Sequence, residues 1–293
     1  METFLNNLKY RFKQKDILIQ LIIINVVVFV ILAAINLFFK LFKLDSLNII
    51  EYIGVSSDIS LLVRFWTPFT YMFVHQDFFH LLFNMLLFYW FGQIFLASFN
   101  PKMLGSLYIL GGLAGALLYI AAFNTIPYYV DMGHMPMIGA SGAVMAIIFA
   151  VAFYKPNMPI RLLLLGEVKI IYIAVFFFIV DFFALGSDTN PGGHVAHIGG
   201  AILGYIFASA YQKGKDITRW MTRAIDSVAN LSLPKKKPKM QAKFKKREDD
   251  YEYNRRKHNV QEEIDRILDK IKVSGYASLT KDEKQKLFEA SDK

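Results

Sequence analysis

The chain of 293 residues contains no cysteine. That absence excludes disulfide bonds, cysteine proteases, zinc–thiolate sites and iron–sulfur clusters. Charged side chains are also scarce, but only in one part of the chain: residues 1–212 hold 11 Lys and Arg and 10 Asp and Glu, whereas residues 213–293 hold 22 and 14. Because 55% of all residues are apolar and 15% are aromatic, the first part is too apolar for a soluble domain and is predicted to lie in a membrane.

Six apolar stretches approach the roughly 20 residues that an α-helix needs to cross a bilayer. All nine prolines lie outside the centres of these stretches, which suits helices that must satisfy their own backbone hydrogen bonds in lipid. The sequence therefore predicts an all-α membrane protein with a bundle of six transmembrane helices and a C-terminal tail. The predicted spans are residues 17–39, 77–96, 103–123, 138–154, 168–185 and 195–211.

The first span and the loop after it each allow a second interpretation. Basic residues precede the first span, as in a signal peptide, but its apolar run is too long and no small-residue cleavage site follows it. We interpret it as a retained helix. The loop over residues 40–76 is long and partly apolar, and it is expected to lie in the membrane interface, with a seventh, partial span as the alternative.

Loop charge predicts the orientation of the chain. With the N-terminus inside, the inner segments carry most of the Lys and Arg, and two of the three outer loops carry none. The positive-inside rule then places both termini in the cytoplasm. The basic residues on the inner side, ahead of the basic tail, are Lys9, Arg11, Lys13, Lys15, Lys102, Lys155, Arg161 and Lys169.

Strongly polar residues occur in three of the predicted spans, where each is a functional hypothesis because of its cost in lipid. In the predicted topology all of them fall near the outer ends of their helices, at similar depth. They are His75, His80 and Asn84 around the second span, the run Gly139–Gly142 with Ser141 at the fourth, and His194 and His197 at the sixth.

These residue types fit a hydrolytic site. A serine hydroxyl such as that of Ser141 becomes a nucleophile when a neutral His takes its proton. The Asn84 carboxamide, a His80 N–H and the backbone N–H of Ser141 can stabilise the oxyanion of acyl transfer. Gly139 and Gly142 permit close approach and unusual backbone angles beside the serine.

Other readings of the same residues stay open. Small-residue runs often mark tight helix packing, and intramembrane His residues also serve as structural partners or as a proton relay in a transporter. His80, His194 and His197 could bind a metal, but no carboxylate or Cys completes that set and no HExxH motif occurs. No metal or other cofactor is predicted.

Three motifs together resemble the rhomboid intramembrane proteases. They are HxxxN in the second span, GxSG at the start of the fourth, and AHxxGxxxG in the sixth, and their order and host spans agree with the family over about residues 15–212. The residues that carry them are His80 and Asn84; Gly139, Ser141 and Gly142; and Ala196, His197, Gly200 and Gly204.

The resemblance implies a serine endopeptidase with a Ser141–His197 dyad, no acid member, and an oxyanion site around Ser141, His80 and Asn84. It implies that His75 lies near a water-filled cavity and that Gly200 and Gly204 let the sixth span pack against the fourth. Its implied substrates are membrane-anchored proteins, and its implied location is the bacterial inner membrane. The alternative is an inactive rhomboid-like protein that binds transmembrane clients without cutting them.

The sequence departs from the family pattern in the first outer loop and beside the nucleophile. The family often has Trp-Arg in that loop, whereas here Trp66 precedes a Thr and Arg64 lies upstream. The position four residues after the nucleophile is usually an aromatic residue that supports the His, and here it is Met145.

Asp181 lies inside the fifth predicted span near its outer end. One hypothesis is that it reaches His197 and orients it. The other is that it contacts interfacial water or a neighbouring helix.

The remaining segments are predicted to be a cytoplasmic N-terminal segment at residues 1–16, a basic linker at 213–255 and a small helical element at 256–293. The linker's Lys-rich, Pro-punctuated run indicates disorder near anionic lipid headgroups, and its lack of aromatic residues argues against nucleic-acid binding. In the helical element, residues 260–271 follow helical spacing, Gly275 is a stop signal, and Thr280 with Glu283 forms a capping box for a second helix. Nothing in the sequence indicates the oligomeric state of the protein.

Overall fold

A computed structural model describes residues 16–44, 48–58, 63–162, 166–231 and 250–291. The chain divides into two compact units, Met1–Pro234 and Lys235–Lys293. Helices of the first unit are α1 (Ile17–Leu41), α2 (Ile49–Ile53), α3 (Thr67–Thr70), α4 (Phe78–Leu96), α5 (Pro101–Thr125), α6 (Pro127–Asp131), α7 (Ser141–Tyr154), α8 (Ile170–Ala184), α9 (Pro191–Gln212) and α10 (Arg219–Leu231). Those of the second are α11 (Asp250–Ser274) and α12 (Lys281–Ser291), and short 3-10 turns occupy Tyr71–Phe73 and Tyr276–Ser278.

Polar caps fix where the long helices begin. The carboxylate of Asp16 accepts from the N–H of Ile19 at the start of α1, and that of Asp77 accepts from the N–H of His80 at the start of α4. The Asn100 side chain does the same for α5. Each cap satisfies one of the N–H groups that a helix start leaves unpaired.

Each predicted span corresponds to one helix of the described chain, namely α1, α4, α5, α7, α8 and α9. Three of them, α1, α4 and α5, are long and apolar enough to cross a membrane, and α7 and α8 are shorter apolar helices. In the described part of residues 40–76, the helices α2 and α3 have only 5 and 4 residues. Neither is long enough to form the alternative seventh span.

The prediction of an all-α protein is wrong in detail, because two small antiparallel sheets accompany the helices. Strand β1 (Val55–Ser56) pairs with β2 (Pro136–Met137), which joins the loop between α1 and α4 to the segment before α7. Strand β3 (Pro159–Leu162) pairs with β4 (Gly166–Lys169), and the last two residues of β4 are the first two residues of the predicted fifth span. Short extended segments of this kind carry no hydropathy signal that distinguishes them from loop or helix ends.

The first unit is built around α7. Every residue from 142 to 152 is buried, and α7 contacts α4, α5, α8 and α9. The outer members are far less covered. Only Leu18, Ile19 and Asn25 are buried in α1, and only Ile170, Ala174 and Asp181 in α8.

Part of the predicted linker is helical. Helix α10 packs against α5 through a hydrogen bond between the Ser106 and Thr222 hydroxyls (2.8 Å) and an ion pair between Lys102 and Asp226 (2.7 Å). Met221 and Ile225 lie four residues apart on the covered side of α10. This helical spacing is hard to recognise in the sequence because charged residues surround it. The predicted N-terminal segment up to residue 15, and residues 232–249 of the linker, lie outside the described residues.

The second unit is the predicted helical hairpin. Gly275 has φ 74° after α11, and Thr280 and Glu283 form the predicted capping box, with reciprocal hydrogen bonds of 2.7 and 3.3 Å. Lys270 pairs with Glu283 across the hairpin (2.9 Å). That hydrogen bond, with the one from the Thr280 backbone, lowers the pKa of the Glu283 carboxyl below its ordinary value.

Candidate active site

The turn before α7 places Ser141 at the first residue of that helix. Gly139 has φ 129°, a conformation that side chains disfavour. Its N–H donates to the carbonyl of Tyr71 (3.0 Å), and the buried Tyr71 hydroxyl donates to the carbonyl of Gly112 in α5 (2.5 Å). The turn is thereby fixed to α5, and the backbone N–H groups at the start of α7 remain without helical partners.

Helices α7 and α9 run in parallel in close backbone contact. A Cβ on Gly200 would overlap the carbonyl of Gly142, and a Cβ on Gly204 would overlap the carbonyl of Ala146. Because His197 lies three residues before Gly200, it shares that face of α9 one turn towards the helix start. Ser141 and His197 therefore both lie at the beginnings of the two helices, next to the contact.

The His197 imidazole is bound by an acid. Its Nδ1 lies 2.7 Å from Oδ1 of Asp181, and Nδ1 of His194 lies 2.8 Å from the same oxygen. Asp181 is 5% exposed. Asp181 reaches His197, as the first hypothesis has it, and through both imidazoles it also bonds a neighbouring helix, as the second allows. The resemblance implied no acid beside the dyad. The contact also joins α8 to α9.

His80 lies on the other side of the turn that carries Ser141. A Cβ on Gly139 would lie 3.0 Å from Nε2 of His80 and 3.5 Å from Oγ of Ser141, so all three groups meet at one point. Asn84 donates from Nδ2 to the carbonyl of His80 (2.9 Å). One of its two amide hydrogens is therefore committed to α4, and the other is left for a further acceptor.

His75 is buried beside His80, with the two ring centroids 5.0 Å apart. Neither ring nitrogen of His75 has a hydrogen-bond partner among the described residues. A buried imidazole without partners is costly unless water reaches it. A cavity of about 450 Å³ adjoins this side of the site, and His80, Tyr119 and Ile138 are in its lining.

One group of described residues could hold a metal ion. The ligand atoms of Asp181, His194 and His197 lie within 4.8 Å of one another. It differs from the set considered from the sequence, because Asp181 takes the place of His80. Hydrogen bonds between Asp181 and the two imidazoles already account for this geometry.

Comparison with known proteins identifies the family. A sequence model of the Rhomboid domain matches residues 63–213, more than half of the chain. The chain belongs to the rhomboid family. The resemblance drawn from the three motifs is thereby confirmed, and this rhomboid is a multi-pass membrane protein.

A second family model and a curated relative also match the chain. A family of unknown function (DUF6576) matches residues 249–293, which include α11 and α12. RHOMBOID-like protein 12, mitochondrial, from Arabidopsis thaliana is 28% identical over 210 residues, covering 69% of this chain. The chain spans about 60% of the length of that relative.

The structure shows the contacts that the residues at both departures from the rhomboid pattern make. Arg64 donates to the carbonyl of Glu51 (2.7 Å) and Trp66 to that of Tyr52 (2.9 Å), so both still tie the α3 segment to α2. Met145 is 5% exposed within α7. The polar contact to His197 comes from Asp181 of α8.

Sequence reasoning missed two participants in the site. Tyr71 carries no motif, and its role depends on contacts with residues about forty and seventy positions away. His194 was noted beside His197, but nothing in the sequence showed that both imidazoles would share one carboxylate. The single acid in an apolar span was the available signal, and it left the partner undetermined.

Proposed function

We propose that this rhomboid is an intramembrane serine endopeptidase that hydrolyses peptide bonds of transmembrane protein substrates. The observation that carries the proposal is the α7–α9 contact, which sets Ser141 and His197 at neighbouring helix starts. No hydrogen bond joins the two side chains among the described residues. Such a contact can tighten in the substrate complex.

In the proposed reaction, Nε2 of His197 takes the proton of Ser141 Oγ as the oxygen forms a bond to the scissile carbonyl carbon. The tetrahedral intermediate collapses when the same nitrogen gives that proton to the leaving amine, and an acyl-enzyme ester remains. Water then attacks the ester with His197 again as base. The products are two chains with a new carboxylate and a new amine, and no cofactor is consumed.

Donors around the serine can hold the oxyanion. The Ser141 N–H lies at the helix N-terminus, where unpaired N–H groups and the helix dipole favour negative charge. His80 adjoins the same turn, and Asn84 retains one amide hydrogen. A donor aimed at the developing oxyanion contributes about 3 to 4 kcal/mol in serine proteases.

The length of α7 supports chemistry within the membrane. Its 14 residues make a helix about 21 Å long, shorter than the ~30 Å hydrocarbon core. If Lys155 after its last turn marks the inner surface, Ser141 lies below the outer surface. The proposal includes both termini in the cytoplasm and a bacterial inner membrane, with membrane-anchored proteins as substrates.

A fluorophosphonate probe, which reacts with activated serines, tests the proposal on the full chain in detergent. We expect labelling of wild type and of Ser187→Ala, a serine outside the site, and loss of labelling in Ser141→Ala and His197→Ala. The folded state of each variant is checked by its thermal unfolding curve. If folded wild type does not label beside a known serine hydrolase, the client-binding alternative replaces the protease.

A further inference from the structure

The buried carboxylate of α8 is placed where it can control His197. Asp181 points inwards, whereas its neighbours Val180 and Phe182 are 47% and 54% exposed on the outside of the bundle. Its Oδ1 receives two imidazole contacts, 2.7 Å from His197 and 2.8 Å from His194. Both imidazoles belong to the first two turns of α9, next to the Ser141 turn.

We propose that Asp181 is a positioning residue that fixes the tautomer and the orientation of His197, so that the site works as a Ser–His–Asp arrangement. The proposal rests on the proposed protease function and adds a third member to it. It acts through His197 alone and requires no contact between Asp181 and substrate.

Hydrogen-bond chemistry determines which nitrogen is the base. An ionised carboxylate can only accept, so the Nδ1 atoms of His197 and His194 must both carry hydrogen. In a neutral imidazole protonated at Nδ1, the lone pair is on Nε2. Nε2 of His197 is therefore the atom that can take the Ser141 proton, and it points away from α8.

The carboxylate also faces the charge that forms during acylation. When His197 holds two protons it is a cation, and the adjacent Asp181 carboxylate stabilises it electrostatically without itself being protonated. His194 supplies a second, independent hydrogen bond to the same oxygen. It therefore keeps the carboxylate in place while the bond to His197 strengthens and relaxes through the reaction.

A purely structural explanation makes different predictions. In that case Asp181 only tethers α8 to α9, and either His contact would serve. The loss of one contact or of both would then lower stability without a selective effect on the chemical step. Asp181→Asn separates the two explanations, because the amide can keep one hydrogen bond but no longer obliges Nδ1 of His197 to carry the hydrogen.

The test measures the saturation kinetics of fluorophosphonate labelling for wild type, Asp181→Asn, His194→Asn and Asp131→Asn, the last a matched change at an exposed residue of α6. We expect the maximal labelling rate of Asp181→Asn to fall at least about tenfold, against the ~10⁴-fold loss for the equivalent change in a soluble triad. The half-saturating probe concentration should stay within about twofold, and Asp131→Asn should match wild type. His194→Asn should lose at least about threefold less than Asp181→Asn, since it keeps the bond to His197.

A second readout works even if the serine does not label. The ¹⁵N chemical shifts of the imidazoles in wild type report which nitrogen of His197 carries hydrogen. Hydrogen on Nδ1 in wild type, lost in Asp181→Asn, supports the positioning role even if the protease proposal fails. Equal, small losses of labelling rate in Asp181→Asn and His194→Asn, or hydrogen on Nε2 of His197 in wild type, would overturn it.

Discussion

Helices α7 and α8 have similar lengths, 14 and 15 residues, and both are strongly apolar. One is nevertheless the buried centre of the bundle, and the other lies at its edge with three buried residues. The difference lies in side-chain size. The sequence of α7 intersperses Gly and Ala with larger residues, which lets other helices approach its backbone, whereas α8 is rich in Phe and offers bulk to lipid.

The edge helices are attached in a common way. Each carries one buried polar residue that bonds to a helix packed against α7: Asn25 of α1 donates to the Tyr108 hydroxyl of α5, and Asp181 of α8 binds the imidazoles of α9. Apolar surface alone gives little preference between protein and lipid. A buried polar contact therefore adds to side-chain packing in holding each edge helix to the bundle, and in α8 the same contact reaches the candidate general base.

The largest loss of stability is expected when a side chain is added at the close contact between α7 and α9. Gly200→Leu would force a side chain into the carbonyl of Gly142, where backbone cannot give way. We expect a loss of about 3 kcal/mol or more in the free energy of unfolding, the upper end for overpacking. Reversible unfolding in mixed detergent micelles measures it.

Gly186→Leu is the matched control, because among the described residues no atom beyond its two chain neighbours lies within 4 Å of a Cβ there. It should unfold as wild type does. Equal stability of the two variants would contradict the close α7–α9 contact.

Removing one Phe side chain from α7 and one from α8 compares how well the two helices are covered. Phe149 of α7 is 5% exposed and Phe183 of α8 is 79% exposed. In a membrane, moving a Phe side chain from lipid into the protein adds little to stability, because both surroundings are apolar. The loss on substitution by Ala therefore comes from the cavity that is left, and a cavity of about 100 Å³ costs ~2 kcal/mol. We expect that loss for Phe149→Ala and a change near zero for Phe183→Ala in the same unfolding assay. Similar losses for both would show that α8 is covered by another part of the protein.

The fold was predictable where it depends on local composition. Hydropathy located all six helices but not their ends. The fourth span was predicted to begin at residue 138, whereas the positive φ of Gly139 is not helical and α7 begins at Ser141. Helix α9 begins at Pro191, four residues before the predicted residue 195. The β1–β2 pairing joins residues about eighty positions apart. No sequence pattern in β1 or in β2 predicts that the two would pair.

The site was predictable to the extent that motifs carry it. GxSG and HxxxN each lie within one helix or turn, so their spacing places Ser141, His80 and Asn84 on defined faces. The Asp181–His197 bond depends on how α8 rotates against α9, which is determined by tertiary packing. An isolated acid in an apolar span was consistent with a bond to His197, with interfacial water and with a bond to a neighbouring helix, and the sequence did not decide between them.

A smaller effect is expected at α1, where the contribution of a buried polar contact to the attachment of an edge helix can be measured. Asn25 is fully buried, and its Nδ2 lies 3.1 Å from the Tyr108 hydroxyl. We expect Asn25→Leu to cost about 1 kcal/mol, the usual size of an interhelical hydrogen bond in a membrane.

Tyr108→Phe and the double variant complete a thermodynamic cycle that isolates the pair. A coupling energy of zero would mean that Asn25 acts through its bond to the Leu21 carbonyl in its own helix.

The smallest expected effect, none at all, concerns metal ions. Asp181, His194 and His197 have the composition of a metal site, but a cation bound there would have to replace the Nδ1 hydrogens and would remove the hydrogen bonds that position His197. Pre-incubation with a chelator should therefore leave fluorophosphonate labelling unchanged, and added Zn²⁺ should lower it if the ion enters the cluster. Loss of labelling with the chelator and recovery with Zn²⁺ would reverse this view, because the carboxylate of α8 would then serve a metal and not the imidazole of α9.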